Sequence, residues 1–309
     1  MIKHGLIISS GSAIIEKAYL ESALESCYFL CPKASFRHFK IFRYLIARLN
    51  IPFRKLLIGM ILKKYSQNDL KYIVIFDSIL WEKNIDLIRH FFPKIKIYYY
   101  YWNKIDERHC PNLVKKYCDD VITFDKKQSK NFGLRHEDAF GCYGGIFNAS
   151  SKQYDYDFSF IGADKGRRKN LIKLATQLNE YGYKCFIYIL SKHNNRYTKD
   201  ICVSNEKISY TDNLAVVTKT KCLIELSQKG QSGLTVRVME ALYNGKKLLS
   251  DNVALKTKDF YHPNNIFIFE GYAVQRDKLY EFLQKDFIKL DDSVYENYTF
   301  KGWLKRVIN

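Results

Sequence analysis

Short apolar runs alternate with helix-period segments along the chain. Gly5-Leu6-Ile7-Ile8, Tyr72-Ile73-Val74-Ile75-Phe76 and Cys185-Phe186-Ile187-Tyr188-Ile189-Leu190 are apolar without interruption. That is how strands read when both faces of a parallel sheet are covered. Further strands are expected at 94–101, 119–124, 157–161, 207–210, 221–226, 246–250 and 266–269. Between them, apolar residues recur every three to four positions, predicting helices over 13–29, 85–92, 171–181, 234–242, 275–285 and 298–307. Strand and helix therefore alternate, the plan of a doubly wound α/β fold.

The plan starts twice. A strand ending at Ser9 runs into Ser10-Gly11-Ser12 and a helix. A strand over 157–161 runs into Gly162-Ala163-Asp164-Lys165-Gly166-Arg167-Arg168-Lys169 and another helix. The glycine- and asparagine-bearing stretch 141–152 between them reads as a linker. Three regions are expected: a Rossmann-like domain over 1–150, a second over 151–274, and C-terminal helices over 275–309 that pack back on the first. The Gly-x-Gly-x-x-Gly dinucleotide fingerprint is absent from both openings. In the second opening, four cations crowd a two-glycine loop at a helix start, which suits a pyrophosphate and equally describes a basic surface turn.

The richest stretch is 228–250. Gly230 and Gly233 allow close backbone approach, and Leu234, Val238 and Leu242 mark one helical face. Gly245 stands where a helix stop needs a left-handed residue. Arg237 and Glu240 are three apart, hence neighbours on the helix, as a plain surface ion pair or as part of a site at an anion-attracting N-terminus. The string Gly-Leu-Thr-x-Arg-x-x-Glu-Ala-Leu-x-x-Gly-Lys-Lys-Leu over 233–248 resembles the nucleotide-sugar helix of GT-B glycosyltransferases, in particular the lipopolysaccharide core and surface-polysaccharide biosynthesis group. Ile122-Thr123-Phe124-Asp125-Lys126-Lys127 and the loop Tyr101-Trp102-Asn103 resemble the same group. The resemblance implies a GT-B-like α/β fold: two Rossmann-like domains facing a cleft, with the last helices crossing back. It also implies a donor site of Gly162, Lys165, Arg167, Tyr210, Ser232, Gly233, Leu234, Thr235, Arg237 and Glu240, with Glu240 on the ribose and 232–235 at the pyrophosphate. The family signature carries two glutamates eight positions apart; the earlier position here is Ser232.

Charge changes the picture of partners. The chain of 309 residues carries a net charge of +18, which points to anionic partners. Residues 32–68 contain no acidic residue. Within them Lys33, Arg37, Lys40, Arg43, Arg48, Arg54, Lys55, Lys63 and Lys64 interleave with aromatic and aliphatic side chains, the pattern of basic amphipathic helices on an anionic membrane surface. Docking through 33–64 is expected, with RNA binding the rival and no nucleic-acid signature beside it. No run approaches a membrane span, and no signal-peptide core opens the chain. The eight cysteines are scattered, without zinc spacing, and fit a reducing cytoplasm.

The expected activity is metal-independent transfer of a hexose, rhamnose being the nearest suggestion, from a nucleotide-sugar to a lipid-linked or lipopolysaccharide acceptor. The enzyme would be cytoplasmic and peripheral on the inner face of the inner membrane, with no cofactor, the nucleotide-sugar being a substrate. Asp77, Asp106 and His109, polar residues after strand ends, are the candidate bases. Two other readings stay open: a non-enzymatic protein binding nucleic acid or anionic lipid, and a transferase of a phosphoglycerol or pyruvyl unit.

Overall fold

The structure is a computed structural model. It describes residues 4–9, 11–22, 24, 26–31, 51–141, 154–192, 196–197, 200–228, 230–271 and 273–309, with backbone alone at 51–54 and 196–197. The chain forms two compact units, one of residues 1–139 with 303–309, the other of 140–302. The junction was expected at 150; it falls at 139/140. The segment expected as a separate 275–309 region divides at 302/303. Helices Arg276–Gln284 and Asp292–Asn297 belong to the second unit, and helix Phe300–Ile308 begins there and ends in the first. The expected linker, apart from Gly141, lies outside the described residues.

In the first unit Gly5–Ile8 (β1), Cys27–Leu30 (β2), Tyr72–Phe76 (β3), Lys96–Tyr101 (β4), Asp120–Thr123 (β5) and Arg135–His136 (β6) form a sheet in the order β2-β1-β3-β4-β5-β6. Every pairing is parallel. Its apolar runs are buried along their length, as at Ile73, Val74, Ile75 and Phe76. The helix expected over 13–29 stops at Glu21, and the remainder supplies β2. Cys27-Tyr28-Phe29-Leu30 is β-favouring and pairs with β1, and that long-range pairing overrides the local helical period. The last residues of the chain pack in this unit. Trp303 is fully buried, stacked on Phe76 at 5.2 Å, and Tyr98 donates its hydroxyl to the Ile308 carbonyl at 3.0 Å.

In the second unit Tyr156–Ala163 (β7), Cys185–Leu190 (β8), Arg196–Tyr197 (β9), Ile201–Ser204 (β10), Thr220–Glu225 (β11), Lys247–Ser250 (β12) and Ile266–Ile268 (β13) form a sheet ordered β13-β12-β11-β7-β8-β10-β9. All pairs are parallel except β9 with β10. The chain winds outward from β7 through β8 to β10, returns to β11 and winds the other way. The strand order therefore reverses between β7 and β11, and ligands of such sheets bind outside the carboxyl ends of the strands at that point. The strand expected at 207–210 is absent. Ser209 instead caps a helix, Tyr210–Thr218, accepting from the Asp212 N–H at 3.1 Å, and β10 lies earlier.

A single glycine governs the start of the C-terminal helix. A Cβ on Gly302 would overlap the backbone carbonyl oxygen of Glu296 and crowd that of Asn297 at 2.8 Å. Backbone yields less readily than a side chain, so Gly302→Ala is expected to destabilise the protein by about 1–3 kcal/mol, read by urea unfolding. An unchanged midpoint would show that the 296–302 turn relaxes freely.

Candidate functional site

At the reversal point of the second sheet, the loop after β7 and the loop after β11 come together. After β7 the chain turns tightly, with Lys165 at φ 46° and Gly166 at φ 81°. Asp164 secures the turn by accepting from the N–H groups of Gly166 at 3.2 Å and Arg168 at 3.1 Å, and helix Arg168–Glu180 follows. Lys165 and Gly166 are exposed. Gly162 has little room beside it: a Cβ there would lie 3.3 Å from the Arg167 guanidinium. Arg167 reaches across the reversal point. It donates to the Ala163 carbonyl at the end of β7 and to the Leu226 carbonyl just beyond β11, with its guanidinium 4.9 Å over the Phe160 ring.

Beyond β11, Gly230 turns at φ 76° and Gly233 and Leu234 are buried, leading to helix Val236–Tyr243. Thr235 is the N-cap residue, but its hydroxyl does not cap the helix. It donates instead to Glu225 Oε1 at 2.9 Å. Arg237, one turn in, donates to the Ile161 carbonyl of β7 at 2.6 Å and pairs with Glu240 Oε2 at 2.6 Å. Glu240 is buried and accepts from Asn213 Nδ2 at 2.7 Å. Burial pushes its carboxyl up, opposed by Arg237 and by hydrogen bonds from Asn213 and Tyr210. Burial and the neighbouring Arg237 both lower the Arg167 guanidinium. The structure thus brings Gly162, Lys165, Arg167, Thr235, Arg237, Glu240 and Tyr210 into one region. Arg167 and Arg237 brace its backbone while also supplying its positive charge, and Ser232 sits half-buried in the preceding loop.

Two residues of this region escaped the sequence reading. Glu225 ends β11 and is buried, with its second oxygen accepting from Ser250 Oγ at 2.5 Å. Burial pushes its carboxyl up to about 7, against the hydrogen bonds from Ser250 and Thr235. The signal was present: an acid closing an apolar strand, as with Asp77. Asn213, which joins Glu240 to the Arg237 guanidinium, carried no signal.

The first unit holds a second polar cluster beyond β3 and β4. Asp77 is buried, and its oxygens accept from the Trp102 N–H at 2.7 Å and Asn103 Nδ2 at 3.2 Å, fixing the loop after β4. Burial raises its carboxyl despite these bonds. Asp106 forks onto Arg108, with Oδ2 2.6 Å from the guanidinium, which lowers its carboxyl to about 2. His109 Nδ1 lies 2.9 Å from Glu82 Oε2, both side chains buried, and Glu82 also accepts the Cys110 N–H. His109 Nε2 is 3.9 Å from Asp106. Glu82, in the short helix Ile79–Glu82, had no sequence signature.

No protein-family model matches the chain, and no curated protein sequence matches it. Solved structures do. An α,α-trehalose-phosphate synthase (UDP-forming) from Burkholderia vietnamiensis aligns with a TM-score of 0.57 at 7% identity, over 100% of this chain and 97% of that one. The UDP-forming enzyme of Burkholderia xenovorans aligns at 0.53 and 10% identity, over 100% of both. AviGT4, a glycosyltransferase involved in avilamycin A biosynthesis, aligns at 0.50 and 10% identity, over 98% of this chain and 93% of that one. The fold is GT-B-like. At such identities the likeness is one of architecture: two α/β sheets in one chain, parallel but for the β9–β10 pair, each with its own reversal point.

Of the basic segment 33–64, residues 33–50 lie outside the described residues. The remainder forms helix Ile51–Ser66, which exposes Leu56 and Met60, four apart, with Lys63 and Lys64. Among the described residues no helix is long and apolar enough to cross a membrane.

Proposed function

We propose that this chain is a glycosyltransferase that moves a sugar from a nucleotide-sugar donor to lipopolysaccharide core or a related surface glycan. One observation carries the donor half of this reading. The turn 164–167 and the start of helix Val236–Tyr243 meet at the reversal point of the second sheet, bringing Arg167, Arg237 and a helix N-terminus to one place. That combination suits a diphosphate, which gains charge as the sugar bond breaks. Glu240 is assigned to the donor ribose, with Arg237, Asn213 and Tyr210 holding its carboxyl in place. The Burkholderia synthases are UDP-forming, so uridine donors come first in any screen. Calorimetric titration with UDP-glucose, GDP-mannose and dTDP-rhamnose tests the reading. Saturable binding of one of them supports it; binding of nucleic acid alone sinks it.

For the base, the environment separates the three candidates. Asp106 is held too acidic by Arg108, and Asp77 has both oxygens engaged in fixing the loop. His109 remains. With Glu82 at Nδ1, that nitrogen carries the proton and Nε2 is left basic. His109→Ala is expected to lower kcat about a hundredfold while leaving donor affinity unchanged, at the low end for loss of a general base. Equal loss of donor affinity, measured by the same titration, would assign His109 to the fold of the loop.

The lipid-linked acceptor and a peripheral place on the inner face of the inner membrane form part of the proposal. The exposed Leu56 and Met60 beside Lys63 and Lys64 support membrane docking, since apolar residues flanked by lysines suit an anionic interface.

A further inference from the structure

We propose that Glu225 is a proton-linked positioning residue of the donor site: a proton taken up with the donor re-aims the Thr235 hydroxyl from Glu225 toward the ligand. This rests on the donor reading above.

The geometry is a junction of two strands and a helix. Glu225 closes β11, Ser250 closes β12 and Thr235 opens the helix that follows the β11 loop. The carboxylate accepts one hydroxyl from each, at 2.9 Å from Thr235 and 2.5 Å from Ser250. The Ser250 hydroxyl is anchored from two sides, donating to Glu225 while its oxygen accepts the Asn252 N–H at 3.0 Å. Thr235 has no such anchor and does not cap its own helix. It is the hydroxyl that can turn. The charged groups facing Glu225 are Asp251, beyond β12, and Arg167, from the loop after β7. Arg167 itself also faces Asp164 and Asp251, which favour its charge, and Arg237, which opposes it.

An anion held at the N-terminus of helix Val236–Tyr243 adds a like charge close to Glu225. Like charge favours the protonated acid. One proton then moves from solvent to Glu225 Oε1, whose new O–H donates to Thr235 Oγ1. The Thr235 proton is released from Glu225 and turns toward the ligand, so no charge or atom is unaccounted for. A carboxyl titrating near neutrality makes that exchange accessible under ordinary conditions.

The experiment is calorimetric titration of the full chain with UDP-glucose, GDP-mannose and dTDP-rhamnose from pH 6 to pH 8, in buffers of differing ionisation enthalpy. The diphosphate of a nucleotide-sugar is doubly esterified and does not titrate in this range. Wild type is expected to take up a fraction of one proton per donor bound and to bind about fivefold more weakly at pH 8 than at pH 6, the part of a one-unit rise from about 7 that falls within this range. Glu225→Gln is expected to bind without proton uptake, at an affinity flat across the range. Thr235→Val, an independent route should the first variant fold poorly, is expected to bind at pH 6 as weakly as wild type does at pH 8, whereas Thr235→Ser retains the dependence. A merely structural Glu225 changes unfolding midpoints and leaves proton uptake as in wild type, which overturns the inference alone. No binding of any donor to wild type overturns the donor reading and the inference with it.

Discussion

Arg237→Met is expected to destabilise the second unit by about 3–5 kcal/mol, the cost of leaving a buried charge without its partner. Arg237 and Glu240 retain side-chain exposures of only 11% and 5%, and the guanidinium lies 2.6 Å from the carboxylate. The same arginine bridges to β7 through the Ile161 carbonyl at 2.6 Å, so its loss leaves a backbone acceptor unpaired as well. Asn213 and Tyr210 alone cannot hold Glu240 ionised against burial, and its carboxyl rises further. The companion change makes the interpretation sharp. Replacing both partners by apolar residues of similar volume, Arg237→Met with Glu240→Leu, is expected to recover most of the loss, because the desolvation of the pair disappears with its attraction. Urea unfolding of wild type, single and double variants measures both. A single variant within about 1 kcal/mol of wild type would show that water screens the pair as on an open surface. The recovered double variant is expected to bind donor weakly, which separates the stabilising role of the pair from its place in the site.

Glu225→Gln is expected to stabilise the protein, by about 3 kcal/mol at pH 8 and hardly at all at pH 4.5. The sign follows from burial. The carboxyl stands near 7 in the folded protein against 4.5 for an ordinary glutamate. The folded state therefore prefers the protonated form, and the stability this group contributes is fully present below pH 4.5 and lost as pH rises through about 7. Each unit of that difference is worth about 1.4 kcal/mol, so the loss grows to about 3 kcal/mol and then levels off. The amide is uncharged throughout and escapes it. Urea unfolding of both proteins at pH 5, 6, 7 and 8 reads the difference directly, and a difference independent of pH would be the contrary result. A residue that weakens the fold at neutral pH, at the reversal point of a sheet, is placed where function rather than stability sets its identity.

Much of the architecture was legible in the pattern of apolar residues. Runs such as those at 72–76 and 185–190 are too apolar for one-sided strands, which dictates a parallel sheet covered on both faces. The two strand–loop–helix openings likewise announced two Rossmann-like sheets. The helix after Gly233 was legible because its apolar face repeats every four residues and Gly245, at φ 58°, ends it. What failed was local reading against long-range pairing. Residues 27–30 continue a helical period, yet β1 recruits them into its sheet. Residues 207–210 look like a strand, yet the Ser209 cap turns them into a helix start.

The sequence by itself determined the fold class, the two sheets and the identity of the charged residues near the loops after β7 and β11. Those follow from periodicity and turn chemistry, which act over a few residues and need no knowledge of the rest of the chain. Only the tertiary structure decided which of those charges meet. Strand order alone puts β7 beside β11, although residues 164–219 separate them along the chain, and so lets Arg167 reach Leu226 and Arg237 reach Ile161. It also decided that His109 faces Glu82 and that Glu225 is sealed between Thr235 and Ser250. Burial, and with it the cost of charge, is a property of what packs around a residue, and no window along the chain contains it.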